Sequence, residues 1–228
     1  MTDISYTHIS VLSDKSGSME QIRADAEGGI NAFVHDQQKT TKKIKGGRAT
    51  LTLVEFANTS HYVYDFVDLA EVPDPAYRLN PSGETALVES MIKLIDDTGR
   101  RLANLPEAIR PGAVLFVVTT DGEENASGRD YTSQRLKKLV TRQTNKFGWK
   151  FIFLAANQDA FAVADAYGFN RGSTLNYAAS AAGTHAAYAS TSGVTSSYRT
   201  LTAAGAPVSV ASASLDFAED DRDVAASN

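Results

Sequence analysis

Residues 113–122, Ala-Val-Leu-Phe-Val-Val-Thr-Thr-Asp-Gly, decide the architecture. Ala113 to Thr119 is the most apolar run in the chain, and it stops abruptly at Thr120-Asp121-Gly122. A short run that is apolar at every position reads as a strand buried on both faces. Such strands belong to parallel sheets covered by helices on either side. Upstream, His8 to Leu12 reads the same way and stops at Ser13-Asp14. Met19, Ile22, Ala26, Ile30, Phe33 and Val34 then recur at three- and four-residue spacing, which predicts an amphipathic helix. Gly46-Gly47 breaks it. Ala49 to Phe56 alternates as a strand, and Asn58-Thr59 turns it into a second strand, His61 to Phe66, making a hairpin.

After Pro73 and Pro75, the loop Asn80 to Thr85 opens a helix with Leu87, Met91, Leu94 or Ile95, and Leu102 on one face. Downstream of the apolar run come a helix over 131–146, with Leu136, Leu139, Val140 and Phe147 inward, a strand Lys150 to Ala155, and a helix Asp159 to Tyr167. Strands alternating with helices predict an α/β fold, doubly wound in three α/β/α layers, with a mostly parallel central sheet and one antiparallel strand. From residue 172 the composition shifts to Ala, Ser, Thr, Gly and Tyr. Residues 178–199 are expected as a small-residue helix anchored by Tyr177, Tyr188, Val194 and Tyr198, although Gly183 and Gly193 weaken it. The expected organisation is one domain over 1–204, with a core at about 5–170 and an extension at 172–204. An acidic, flexible tail is expected over 205–228.

Composition narrows the function classes. The chain has 228 residues, 43% hydrophobic, enough for a sizeable core. The formal net charge is −5. Residues 216–223 (DFAEDDRD) carry five acids and one Arg, so the body is nearly neutral. No basic surface for nucleic acid is expected, and Lys39 to Arg48 reads as a solvated helix end and loop. No apolar run reaches a membrane span, and the first residues lack a signal-peptide pattern, so a cytoplasmic location is expected. With no cysteine, thiolate chemistry and Cys-ligated metal centres are excluded, and with only four scattered histidines no His-rich metal centre is expected. Trp149, Tyr167 and His8 read as packing residues.

Polar clusters sit where a doubly wound sheet gathers function, at strand ends. Asp14-Lys15-Ser16-Gly17-Ser18 follows the first strand, Thr85 opens a helix, and Asp121 follows the most buried strand. Two carboxylates and three hydroxyls make an all-oxygen set suited to a hard cation such as Mg²⁺. Each piece also has an ordinary reading. Ser18-Met19-Glu20-Gln21 matches a capping box, Thr85 an N-cap and Asp121-Gly122 a turn.

In this order, the runs Val11 to Met19, Gly83-Glu84-Thr85-Ala86-Leu87 and Thr120 to Asn125 resemble a von Willebrand factor A domain, over roughly residues 5–200. The resemblance is to small stand-alone bacterial or phage members, which adds virion association to the expected locations. It implies a metal-ion-dependent adhesion site, with Ser16 and Ser18 bound directly to Mg²⁺ (Mn²⁺ or Ca²⁺ as substitutes). Thr85 would bind directly or through water, and Asp14 and Asp121 largely through water. Ser13 departs from the apolar residue that many members keep there. The implied partner is a protein offering an Asp or Glu carboxylate.

No enzyme is expected. A phosphoryl-transfer aspartate would need a second Asp two positions after Asp14, where Ser16 stands. Nucleophile-elbow, P-loop and dinucleotide-binding motifs do not occur. The alternatives are a metal-independent structural subunit of a virion or other assembly and, third, a metal-assisted hydrolase. A further expectation is that the acidic tail presents a carboxylate to a neighbouring copy or masks its own site.

Overall fold

A computed structural model describes residues 2–156 and 159–227. Six strands form one sheet: β1 (Asp3–Asp14), β2 (Arg48–Phe56), β3 (Ser60–Asp68), β4 (Pro111–Thr120), β5 (Lys150–Ala156) and β6 (Thr174–Tyr177). Their spatial order is β3-β2-β1-β4-β5-β6. All neighbours run parallel except β2 and β3, the antiparallel hairpin. The expected fold class is the one observed.

Period-2 alternation divides the core between two faces. Ile9, Val11, Leu115, Val117, Ile152 and Leu154 point to one face, covered by α1 (Arg23–Lys43) and α5 (Ala181–Ala203). Leu12, Val118, Phe116, Phe151 and Phe153 point to the other, covered by α2 (Leu87–Ala103), α3 (Ser133–Phe147) and α4 (Ala160–Tyr167). Phe116 stacks between Trp149 and Phe151 at centroid distances of 5.4 and 5.0 Å. His8 is fully buried, with its ring nitrogens 2.9 and 3.0 Å from Thr50 and Ser10 hydroxyls and its face on Phe66. No helix among the described residues is long and apolar enough to cross a membrane.

Several expectations need correction. The core, expected at about 5–170, extends further along the chain. Thr174–Tyr177 adds a strand beside β5, too short to leave a periodic signal in a small-residue stretch. The segment after 204 is not a flexible or extended tail through its described residues. It folds into α6 (Val208–Ala213) and α7 (Glu219–Ala226), because Leu215, Phe217 and Ala225 bury against the body. Phe147 is exposed rather than inward, at the last turn of α3 with Lys146 over its ring. After Ser16 the chain makes a 3-10 turn, Gly17–Ile22, before α1 begins.

Candidate metal centre

The strand order reverses around β1, which lies between β2 and β4. Crevices at the carboxyl ends of such strands are where open α/β sheets collect ligands. Asp14 ends β1, and Asp121 follows Thr120, the last residue of β4.

Three loops are tied together there by backbone bonds. Lys15 N donates to Phe56 O (2.8 Å), Ser82 N to Lys15 O (2.7 Å) and Gly17 N to Gly83 O (3.0 Å). Lys15 Nζ pairs with Glu55 at 3.0 Å. Asn125 N and Ala126 N donate to Thr85 O at 3.0 and 3.2 Å, while Thr85 N donates to Asn125 Oδ1 at 2.8 Å. Glu124 accepts from Val88 N, Ala126 N and Ser127 N, fixing the loop after β4 against the start of α2.

The five residues singled out in the sequence meet on this frame. Ser16 N donates to Asp14 Oδ1 at 2.7 Å, and the Ser16 and Ser18 hydroxyls stand 3.1 Å apart. Ser18 Oγ donates to Asp121 Oδ1 at 2.7 Å. A methyl group built on Gly122 would lie 3.3 Å from Thr85 Oγ1, 3.5 Å from Ser18 Oγ and 4.0 Å from Ser16 Oγ. Three hydroxyls therefore surround one small space beside Asp121. The ordinary readings lose ground here. Ser18 turns its hydroxyl to Asp121, and the N-cap of α2 is Ala86 rather than Thr85.

Electrostatics point the same way. Asp14 is 0% and Asp121 5% exposed, and among the described residues neither is ion-paired. Burial pushes the Asp14 carboxyl up to about 6, against the hydrogen bonds from Thr120 and Ser16, and the nearby Asp121 raises it further. Burial also raises Asp121, with the Ser18 bond opposing. Two adjacent buried carboxylates without a cation are costly, and a divalent ion offsets that cost. No cluster of three or more His, Cys, Asp or Glu side chains able to hold a metal occurs among the described residues. The donor set is hard oxygen from hydroxyls and two carboxylates, which fits Mg²⁺.

Thr120, Glu124 and Asn125 were not singled out as site residues. Thr120 Oγ1 donates to Asp14 Oδ2 at 2.6 Å and accepts from Gly122 N at 3.3 Å, joining the ends of β1 and β4. Their signal was present, since all three flank Asp121 in the run Thr120 to Asn125. Their roles depend on pairing partners 35 or more positions away.

No protein-family model and no curated protein sequence matches the chain. Solved structures do. Proximal thread matrix protein 1 of the mussel byssus, in its structure with a zinc-occupied MIDAS motif, superposes with TM-score 0.61 at 15% identity, over 81% of this chain and 46% of that one. A von Willebrand factor type A structure from Catenulispora acidiphila matches with TM-score 0.50 at 16% identity, over 87% and 42%. The vWF domain of the type V pili tip protein Mfa5 from Porphyromonas gingivalis matches with TM-score 0.52 at 11% identity, over 76% and 90%. The fold is that of a von Willebrand factor A domain. The present chain spans less than half the length of the thread matrix protein.

Proposed function

We propose that this chain is a metal-dependent protein-interaction module that binds a carboxylate of a protein partner. The observation that carries the reading is the convergence of the Ser16, Ser18 and Thr85 hydroxyls on the space beside Gly122, backed by two buried carboxylates. Ser16, Ser18 and Thr85 would hold the cation, with Asp14 and Asp121 behind them. When bound, a divalent cation such as Mg²⁺ supplies an electrophilic centre that an Asp or Glu side chain can reach.

The chain's own residues set the terms. Because the nearest donors are neutral hydroxyls, the site keeps positive charge to offer an incoming anion. Ser16 N and Thr120 Oγ1 hold the two Asp14 oxygens at 2.7 and 2.6 Å, so Asp14 stays in place behind the hydroxyls. Ser18, on the exposed rim, lies where a partner approaches.

Calorimetric titration with MgCl₂, MnCl₂ and CaCl₂ tests the site, with Asp121→Ala as control. A pull-down in Mg²⁺ and in EDTA then tests the partner, with thermal melts to check folding. Saturable binding by the wild type alone, and a partner lost in EDTA, supports the module. A folded wild type with no metal heat, holding the same partners in EDTA, rejects it and leaves the metal-independent structural subunit.

A further inference from the structure

Lys150 opens β5, which runs parallel to β4, so it stands at the end of the sheet opposite Asp121. A cavity of about 170 Å³ lies there. Its apolar walls are Trp149, Phe151 and Phe169 from the body and Leu215 from the C-terminal segment, all buried. Ser173 also lines it, but its hydroxyl already donates to Phe151 O at 2.8 Å. Two charged side chains complete the lining, Lys150 and Asp216.

Neither charge has a partner. Among the described residues no ion pair or hydrogen bond reaches the Lys150 ammonium or the Asp216 carboxylate, and the two do not pair across the cavity they share. Lys150 is half-buried, and burial lowers its ammonium from the ordinary range, a cost that no anion of the chain offsets. Asp216 is exposed but held in place. Its N donates to Ala213 O (3.1 Å), Phe217 N donates to Gly172 O (3.0 Å), and a Cβ on Gly172 would collide with the Asp216 carboxylate.

This lining selects a ligand. A simple anion would meet Asp216 as well as Lys150, and a simple cation would meet the reverse. A molecule carrying both charges gives each its opposite, through charge-assisted hydrogen bonds. The aromatic walls favour an apolar group beside those charges. At about 170 Å³ the cavity is smaller than the roughly 300–1,000 Å³ that takes drug-sized molecules, so the ligand has few heavy atoms. We propose that this cavity binds a small zwitterion, a free α-amino acid with an apolar side chain, its carboxylate on Lys150, its ammonium on Asp216 and its side chain against Phe151 and Phe169. Because one wall belongs to segment 212–216, the occupant joins that segment to the start of β5.

The test uses the full chain and calorimetric titration with L-alanine, L-leucine and L-phenylalanine. Saturable binding of at least one is expected. The matching acid without the amino group, and the matching amine without the carboxylate, should each bind about tenfold more weakly or worse, since each leaves one charge unmet. Lys150→Met, which keeps the apolar stem, and Asp216→Asn, on an exposed side chain, should each lose about tenfold in affinity. The bound amino acid should slow hydrogen exchange across 211–217, and Asp121→Ala should bind it as wild type does. No saturable heat with any of the three overturns the proposal, and so does equal affinity for the acid or amine alone. Unchanged affinity in Asp216→Asn overturns it even if Lys150→Met misfolds. Binding lost in Asp121→Ala would put the amino acid at the metal centre and overturn it too.

Discussion

Asp14 at the end of β1 and Arg199 in α5 are both buried and both lack an ion-pair partner among the described residues, yet their surroundings differ in kind. Asp14 meets Ser16 N and Thr120 Oγ1, whose hydrogen bonds oppose the burial that pushes its carboxyl up to about 6, and the nearby Asp121 adds to the rise. Arg199 is 1% exposed and sits between α5 and α1. Its Nη1 donates to Gln37 O (2.9 Å) and Gln37 Oε1 (3.0 Å), and its Nη2 to Thr41 Oγ1 (2.7 Å). Burial lowers it to about 10, which leaves it charged at neutral pH. The two terminal nitrogens of the cation are met by neutral dipoles from one neighbouring helix, while its buried Nε makes no hydrogen bond among the described residues. The anion instead has a second carboxylate, that of Asp121, near it. His8 is the third case: burial, and secondarily Arg101, lowers it to about 3, so it is simply kept neutral.

These differences order the expected effects. The largest concerns His8. Its pKa in the fold lies below its ordinary 6.5, so the unfolded chain takes up the proton first as pH falls. The stability contributed by neutral His8 is complete above pH 6.5 and is lost as pH drops toward 3, up to about 5 kcal/mol. Urea melts between pH 7 and 4 should show that slope, and His8→Gln should flatten it. Next, Gln37→Leu removes one acceptor from a buried guanidinium and should cost about 2–3 kcal/mol in the same melts. An unchanged midpoint would mean that Arg199 relaxes to water, breaking the contrast with Asp14.

Metal dependence comes third. At free Mg²⁺ of about 100 times Kd, wild type should gain about 2.7 kcal/mol. Asp121→Ala should gain nothing, while remaining folded. Equal gains in both would place the cation elsewhere. The smallest effect is expected of Arg199→Met, which removes the charge and its desolvation together and should fall within about 1 kcal/mol of wild type. A large loss would show that the guanidinium is needed to join α1 and α5.

Much of this molecule is written locally. The continuous apolar runs at His8–Leu12 and Ala113–Thr119 announced buried strands, and both lie inside β1 and β4. The spacing from Met19 to Val34 announced the first helical segment, which begins as a 3-10 turn. The candidate site was legible because its residues cluster in short runs at strand ends. Thr120 was harder to read. Its bond to Asp14 spans 106 positions, and nothing beside it in the chain signals that partner. β6 and α7 were missed for a related reason. Four residues are too few for periodicity, and the acidic composition around α7 imitates a solvated tail. Its order comes from Arg222 meeting carbonyls roughly 50 positions upstream.

By itself, then, the sequence determined the alternation of strands and helices, the apolar character of the central strands, and which hydroxyls and carboxylates stand at their ends. These follow from side-chain period and turn chemistry, which act over a few residues. Tertiary structure alone decided that three loops close on one space beside Gly122, that Arg199 is buried against Gln37, and that the last segment covers β6. Those outcomes rest on burial and hydrogen bonding between residues far apart in the chain, whose balance is set only when the sheet and both helical layers come together.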